Sequence, residues 1–203
     1  PETEELVDCC NRLIKQNKYS VVYDLCRNGI SAICAHTNLD AAVGGVNDVL
    51  ASVLNLSDIE AHGMMRIGKT KEVKLFDFVK IIKEKLDVKS VRVCGDSDML
   101  ISKVAVLGGS GGDFVYELDN SLCDVYVTGE ASYHHAYYAK EKGLALIAAG
   151  HFETENHIVS DIVKRLKEKF EAFGFNTIEI DGHDLRNVTL TSLRNQVGVM
   201  MQD

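Results

Sequence analysis

The sequence has a single proline, at position 1, no tryptophan, and no Cys-x-x-Cys pair. The missing cysteine pair excludes a zinc ribbon or a dithiol redox motif. The six cysteines, at 9, 10, 26, 34, 94 and 123, are read as reduced and mostly buried thiols. Long apolar runs are absent as well, and none approaches the roughly 20 residues a membrane helix requires. The first residues are acidic and helical in pattern, unlike the basic start of a signal peptide, so a cytoplasmic protein without a membrane segment is expected. Positive charge is scarce: 22 Lys and Arg stand against 30 Asp and Glu, for a formal net charge of -8. Nucleic-acid contacts need clustered cations, so that class of partner is set aside.

What is present suits a folded core. The 203 residues are 46% hydrophobic, enough for one core or two closely packed lobes. Helical periodicity covers residues 4–16, 19–28, 46–54 and 76–86. Phe78, Ile81, Ile82 and Leu86 face inward in the last of these. Residues 30–35, 90–95, 123–130 and 144–151 read as strands, as does the run from Lys103 up to the glycine-rich GGSGGD (108–113). Residues 63–74 mix glycine with short extended stretches. A helix is expected from about Asp113, another over 132–143, and a long amphipathic one over 154–173 with Ile158, Ile162, Val163, Leu166, Phe170 and Phe173 as its stripe. Residues 176–180 suit a last strand. Alternating strands and helices predict an α/β fold with mostly parallel or mixed sheets flanked by helices.

Two segments repeat one layout. AICAHTNLD and IAAGHFETE each run from an apolar strand into a histidine, then three residues, then an acid. Open α/β sheets place their sites at the carboxyl ends of strands, where both segments lie. His36 with Asp40, and His151 with Glu155, therefore form two candidate donor pairs for zinc, iron or manganese. A helix starting at His151 puts its pair on one face. Single His-x-x-x-acid patterns also arise as caps or salt bridges. Glu130 followed by His134 and His135 makes a third cluster, able to provide a ligand, a supporting partner or a general acid. GGSGGD lacks the lysine of a P-loop and the spacing of a dinucleotide fingerprint, so a phosphate turn and a plain tight turn stand equal. Arg66 and Lys69 are candidates for meeting an anionic substrate. Tyr133, Tyr137 and Tyr138 are candidates for interface anchors or for packing.

The segments AHTNLDAAVGGVNDVL, RIG, KVAVLGGSGGDF, DVYVTGEASYHHA and AAGHFETE together resemble the Ngg-interacting-factor-three-like family, often labelled GTP cyclohydrolase I type 2 homologues. The resemblance implies a two-lobed α/β protein, with lobes near 1–62 and 63–203 and a dinuclear metal site in the crevice between them. It implies a toroidal hexamer, a trimer of dimers. By this likeness Asp40, His151 and Glu155 are metal ligands for two divalent ions, with Glu155 the bridge. His36, Glu130 and His134 line the site as catalytic candidates. The family's further pair of adjacent histidines upstream has no counterpart here, since no histidine precedes His36; the expectation is that a segment upstream of Pro1 carries them. The activity implied is hydrolysis of a nucleotide or related heterocycle, as in the opening of the guanine ring of GTP. The alternative is a non-enzymatic metal-binding or regulatory protein that works through partners.

Overall fold

A computed structural model describes residues 35–172, together with 25, 27–29, 179–180 and 183–184. Within this range α1 spans Thr37–Ala41 and α2 Val46–Val53. The hairpin β1 (Ser57–His62) and β2 (Met65–Lys74) follows, then α3 (Leu75–Lys85) and β3 (Arg92–Cys94). Next come β4 (Leu100–Leu107), a 3-10 helix (Gly112–Glu117), β5 (Val125–Thr128), α4 (Tyr133–Glu141) and β6 (Ala145–Ala148). The last elements are α5 (His151–Glu155), α6 (His157–Ala172) and the short pair β7 (Glu179–Ile180) and β8 (His183–Asp184).

Six strands form one mixed sheet in the order β1-β2-β4-β5-β6-β3. β4, β5 and β6 are parallel and central. The hairpin pairs antiparallel on one side, and β3 pairs antiparallel with β6 on the other. Every residue of β5 (VYVT) and β6 (ALIA) is buried, as expected where helices cover both faces of parallel strands. Side-chain alternation sorts the core into two layers. Val104, Val106, Val125, Val127 and Ile147 pack with Leu50 and Leu54 of α2 and Phe78 and Ile82 of α3. Ala105, Leu107, Tyr126 and Leu146 pack with Val115 of the 3-10 segment, Leu118 just after it and Ala139 of α4.

Several expectations change. β1 was missed, because SDIEAH lies at the sheet edge with its side chains exposed or half-buried and no apolar alternation; its pairing with β2 defines it. It joins residues below 62 to the same sheet as those above. The helix expected from Asp113 is a single 3-10 segment, closed when the Leu118 N–H bonds to Val115 O. The long final helix is interrupted at Asn156, leaving α5 as a separate turn. Among the described side chains of the α6 stripe, Ile158 is buried, Ile162 and Val163 are half-buried and Leu166 is exposed. The expectations for 4–16 and 30–34, Cys9, Cys10, Cys26 and Cys34, and Phe173 lie outside the described residues. Cys94 and Cys123 are free thiols, and burial pushes the Cys123 thiol up to about 12. Among the described residues no helix is long and apolar enough to cross a membrane.

Candidate functional site

Three glycine turns leave the carboxyl ends of the three parallel strands side by side: Gly108-Gly109-Ser110 after β4, Gly129-Glu130 after β5, and Gly150-His151 after β6. Backbone bonds tie them together. The Glu130 N–H donates to Gly109 O at 3.0 Å and the Gly150 N–H to Gly129 O at 2.9 Å. Gly109 has φ +63°, and a Cβ there would run into Glu155 Oε1 and stand 3.1 Å from His151 Nε2. The glycine is needed both for its backbone and for the room it leaves those two side chains. Gly129 is as closely enclosed, since a Cβ would meet Gly109 O at 2.6 Å and His151 Cα at 2.8 Å.

The turns bring one imidazole between two carboxylates. His151 opens α5 and Glu155 ends it, one helical turn apart on the same face, with Nε2 3.3 Å from Glu155 Oε1. His151 Nδ1 lies 3.0 Å from Glu130 Oε1, and the Ser110 hydroxyl donates to Glu130 Oε2 at 2.9 Å. These two bonds, Ser110 first, hold the Glu130 carboxyl below its ordinary range. A neutral imidazole has one N–H, so one of its nitrogens must point a lone pair at a carboxylate oxygen. That contact needs a cation, a proton or a metal ion, to be favourable.

Asp40 and His36 share this field. Burial raises the Asp40 carboxyl against the opposing influence of His36 and His151. Glu155 is raised first by burial and further by Asp40 and Glu130, with His151 and His36 opposing. His36 is exposed at the start of α1, its Nδ1 3.2 Å from Thr37 Oγ1. Of the six predicted site residues, the structure sets Glu130, His151 and Glu155 in contact and His36 and Asp40 within their electrostatic reach. The sixth, His134, is exposed on the first turn of α4 and meets the Tyr133 ring edge-on at 5.7 Å. Its neighbour His135 is structural. Its Nδ1 accepts from the Ser132 N–H at 3.1 Å, completing a capping box, and its Nε2 lies 2.9 Å from Asp113 Oδ1.

Arg66 does not serve as an anion contact. It is 3% exposed, pairs with Asp48, and donates to the carbonyls of Met64, Met65, Ala41 and Ala42. It clamps the end of α1, and hence Asp40, to the hairpin. The glycine-rich turn is likewise committed to structure. The Gly108 N–H goes to Asn47 Oδ1 at 2.9 Å and the Gly109 N–H to Thr154 Oγ1 at 3.0 Å. Asn47, 1% exposed, also donates to Asp40 O at 3.1 Å and Met64 O at 3.0 Å. Sequence reasoning passed over Asn47, Thr154 and Ser110. A clue to Asn47 was a poor helix former inside the apolar run VNDVL.

Among the described residues, no three His, Cys, Asp or Glu side chains are gathered closely enough to hold a metal ion as they stand. The donor chemistry still fits one. Asp40 and Glu155 are carboxylates raised by burial and within electrostatic reach of the His151 imidazole, and Gly109 leaves room for His151 and Glu155.

Fold and site together define an α/β protein whose acids and imidazoles gather at the carboxyl edge of a parallel sheet core. Residues 9–184 match the family Duf34/NIF3 (NGG1p interacting factor 3), and the chain belongs to it. It is 33% identical over 161 residues to a Clostridium perfringens protein named GTP cyclohydrolase 1 type 2 homolog, covering 74% of this chain and 62% of that one. It is 32% identical over 171 residues to NGG1-interacting factor 3 of Saccharomyces cerevisiae, covering 73% and 59%. A Staphylococcus aureus protein of known crystal structure superposes with a TM-score of 0.68 at 26% identity, covering 80% of this chain and 72% of that one. The chain therefore spans about three fifths of the length of these curated relatives.

Proposed function

We propose that this chain is a metal-dependent hydrolase of a nucleotide or related heterocycle, with Asp40, His151 and Glu155 holding two divalent ions such as zinc, iron or manganese. The observation that carries the reading is the Nε2 side of His151. There an imidazole nitrogen faces the Glu155 carboxylate at 3.3 Å, with Asp40 in the same field, and among the described residues His36 and His151 are what offsets the two acids, with no Lys or Arg among them. Bound ions would supply a water of lowered pKa and polarise the bond to be cleaved. The protein's own contribution is otherwise local. Asp40 and Glu155 bring the negative charge that attracts and orients a cation. Glu130 lines the site beside His151. His36 and His134, both exposed imidazoles, are the groups suited to exchange protons between substrate and solvent. The relatives named GTP cyclohydrolase 1 type 2 homolog suggest the nucleotide class of substrate.

A second reading, a protein that acts through partners, is supported by the name of the yeast relative and by the exposed rings of Tyr133 and Tyr137. Aromatic residues are common interface anchors. Elemental mass spectrometry on protein purified without a metal-affinity tag, followed by a GTP assay read by chromatography, separates the two. We expect about two ions per chain, lost in Asp40→Ala, His151→Ala and Glu155→Ala, and metal-dependent loss of GTP. Metal without turnover of GTP or related heterocycles would favour the second reading. No metal after loading with zinc, manganese or iron would end the first.

A further inference from the structure

The two oxygens of Glu130 are divided between two neighbours. Oε2 accepts from the Ser110 hydroxyl at 2.9 Å, and Oε1 lies 3.0 Å from His151 Nδ1. The residue is also held at its backbone, where its N–H donates to Gly109 O at 3.0 Å. Ser110, Glu130 and His151 come from the turns after β4, β5 and β6, so the chain of contacts crosses all three parallel strands at one edge. An ionised carboxylate has no hydrogen to give, so its bond to Nδ1 exists only when Nδ1 carries the proton. In the neutral ring this leaves the lone pair on Nε2, the nitrogen beside Glu155.

We propose that Glu130, steadied by Ser110, is a positioning residue that fixes His151 as its Nδ1–H tautomer and turns Nε2 toward the Glu155 carboxylate as an electron-pair donor. The inference rests on the metal-binding reading and narrows the part that Glu130 plays in it: Glu130 acts through His151 and not on substrate. Glu155 pulls the other way. Its Oε1, 3.3 Å from Nε2, attracts a proton to that nitrogen, so without Glu130 the ring is free to carry its proton beside Glu155 and hide the lone pair. Carboxylate partners of this kind commonly change metal affinity by 10- to 100-fold.

Two readouts test the proposal. Long-range proton–nitrogen correlation spectra of histidine-labelled, metal-free protein, taken at a pH high enough that the His151 ring is seen to be neutral, report which of its nitrogens is protonated. Competition with a chromophoric chelator reports zinc affinity. Wild type should show the Nδ1–H pattern. Glu130→Ala should shift the ring toward Nε2–H or a mixture and weaken zinc binding by about 10- to 100-fold. Glu130→Gln, whose amide oxygen still accepts from Nδ1, should keep the wild-type tautomer and most of the affinity. Ser110→Ala should fall between them. An Nδ1–H pattern that survives Glu130→Ala, or wild-type zinc affinity in that variant, would overturn the assignment. Wild-type protein that takes up no zinc would end the metal reading, while the tautomer comparison would still confirm or reject Glu130 as the residue that fixes the ring.

Discussion

Asp48 is a partly buried carboxylate near the start of α2, and Asp40 and Glu155 are two more nearby, yet the fold treats them in opposite ways. Burial alone would raise all three. At Asp48 the Arg66 guanidinium, the Gly44 N–H and the charge of Arg165 outweigh it, and the carboxyl ends below its ordinary range. At Asp40 and Glu155 burial prevails, opposed only by His36 and His151, and both carboxyls end above theirs. Among the described residues, the fold thus sets a permanent cation beside the architectural acid and only imidazoles beside the acids that converge at the sheet edge. Uncompensated charge of this kind costs stability, and functional sites are where such costs persist.

Removing the cation should break the comparison most severely. Arg66→Ala takes the guanidinium from Asp48 and one donor from each of four carbonyls, of which Met64 O keeps Asn47 and Ala42 O keeps the Gly45 N–H, so it should destabilise the fold by about 3–5 kcal/mol in urea unfolding. Asp40 is held through the same clamp, so any metal affinity should fall with it. Asp48→Asn in the Arg66→Ala background should recover part of the loss, because an uncompensated charge is removed with the second substitution. A loss below about 1 kcal/mol would mean that the pair is a surface-like contact.

Relieving the second region should do the reverse. In metal-free protein at neutral pH, Asp40→Asn and Glu155→Gln each remove a charge held in a desolvated place. Each should raise the melting temperature, by roughly 1–4 °C. In excess zinc the order should invert, since wild type gains binding energy that the variants have lost. Unchanged or lowered melting temperatures in the metal-free variants would show that the two carboxylates already have adequate partners.

How much of this contrast the sequence carried depended on whether a signal was local. His151 and Glu155 were legible because apolar β6 stops at Ala148 and Gly150, with φ 103°, turns the chain into α5, which sets their spacing. Asp40 was legible from the matching layout of HTNLD. Arg66 was not, because its burial depends on Asp48 and the carbonyls of α1, residues brought to it only by folding. β1 escaped for a similar reason, as an edge strand defined by its partner and not by its own side chains. The break at Asn156 was not legible because neither proline nor glycine marks it and the apolar stripe begins only at Ile158. Thr154, two residues before the break, accepts a long-range bond from the Gly109 N–H and donates locally to Gly150 O. Asn47 and Thr154 are polar residues whose value lies in long-range bonds to the Gly108-Gly109 turn.

The smallest effect should appear as opposite pH slopes. Asp48 titrates below its unfolded value of 3.8, so the unfolded chain binds its proton more readily. Its contribution is complete above that value and is lost as pH falls through the lower folded one. Asp40 and Glu155 titrate above 3.8 and 4.5, so the folded chain holds their protons more tightly. Their contribution is complete below those values and is lost as pH rises through the higher folded ones. Melting temperatures of metal-free protein taken between pH 3 and pH 8 should therefore separate the variants. Asp48→Asn should flatten the acid limb, whereas Asp40→Asn and Glu155→Gln should flatten the decline that begins above about pH 4. Excess zinc should remove that decline in wild type alone, because a bound cation supplies to Asp40 and Glu155 what Arg66 supplies to Asp48.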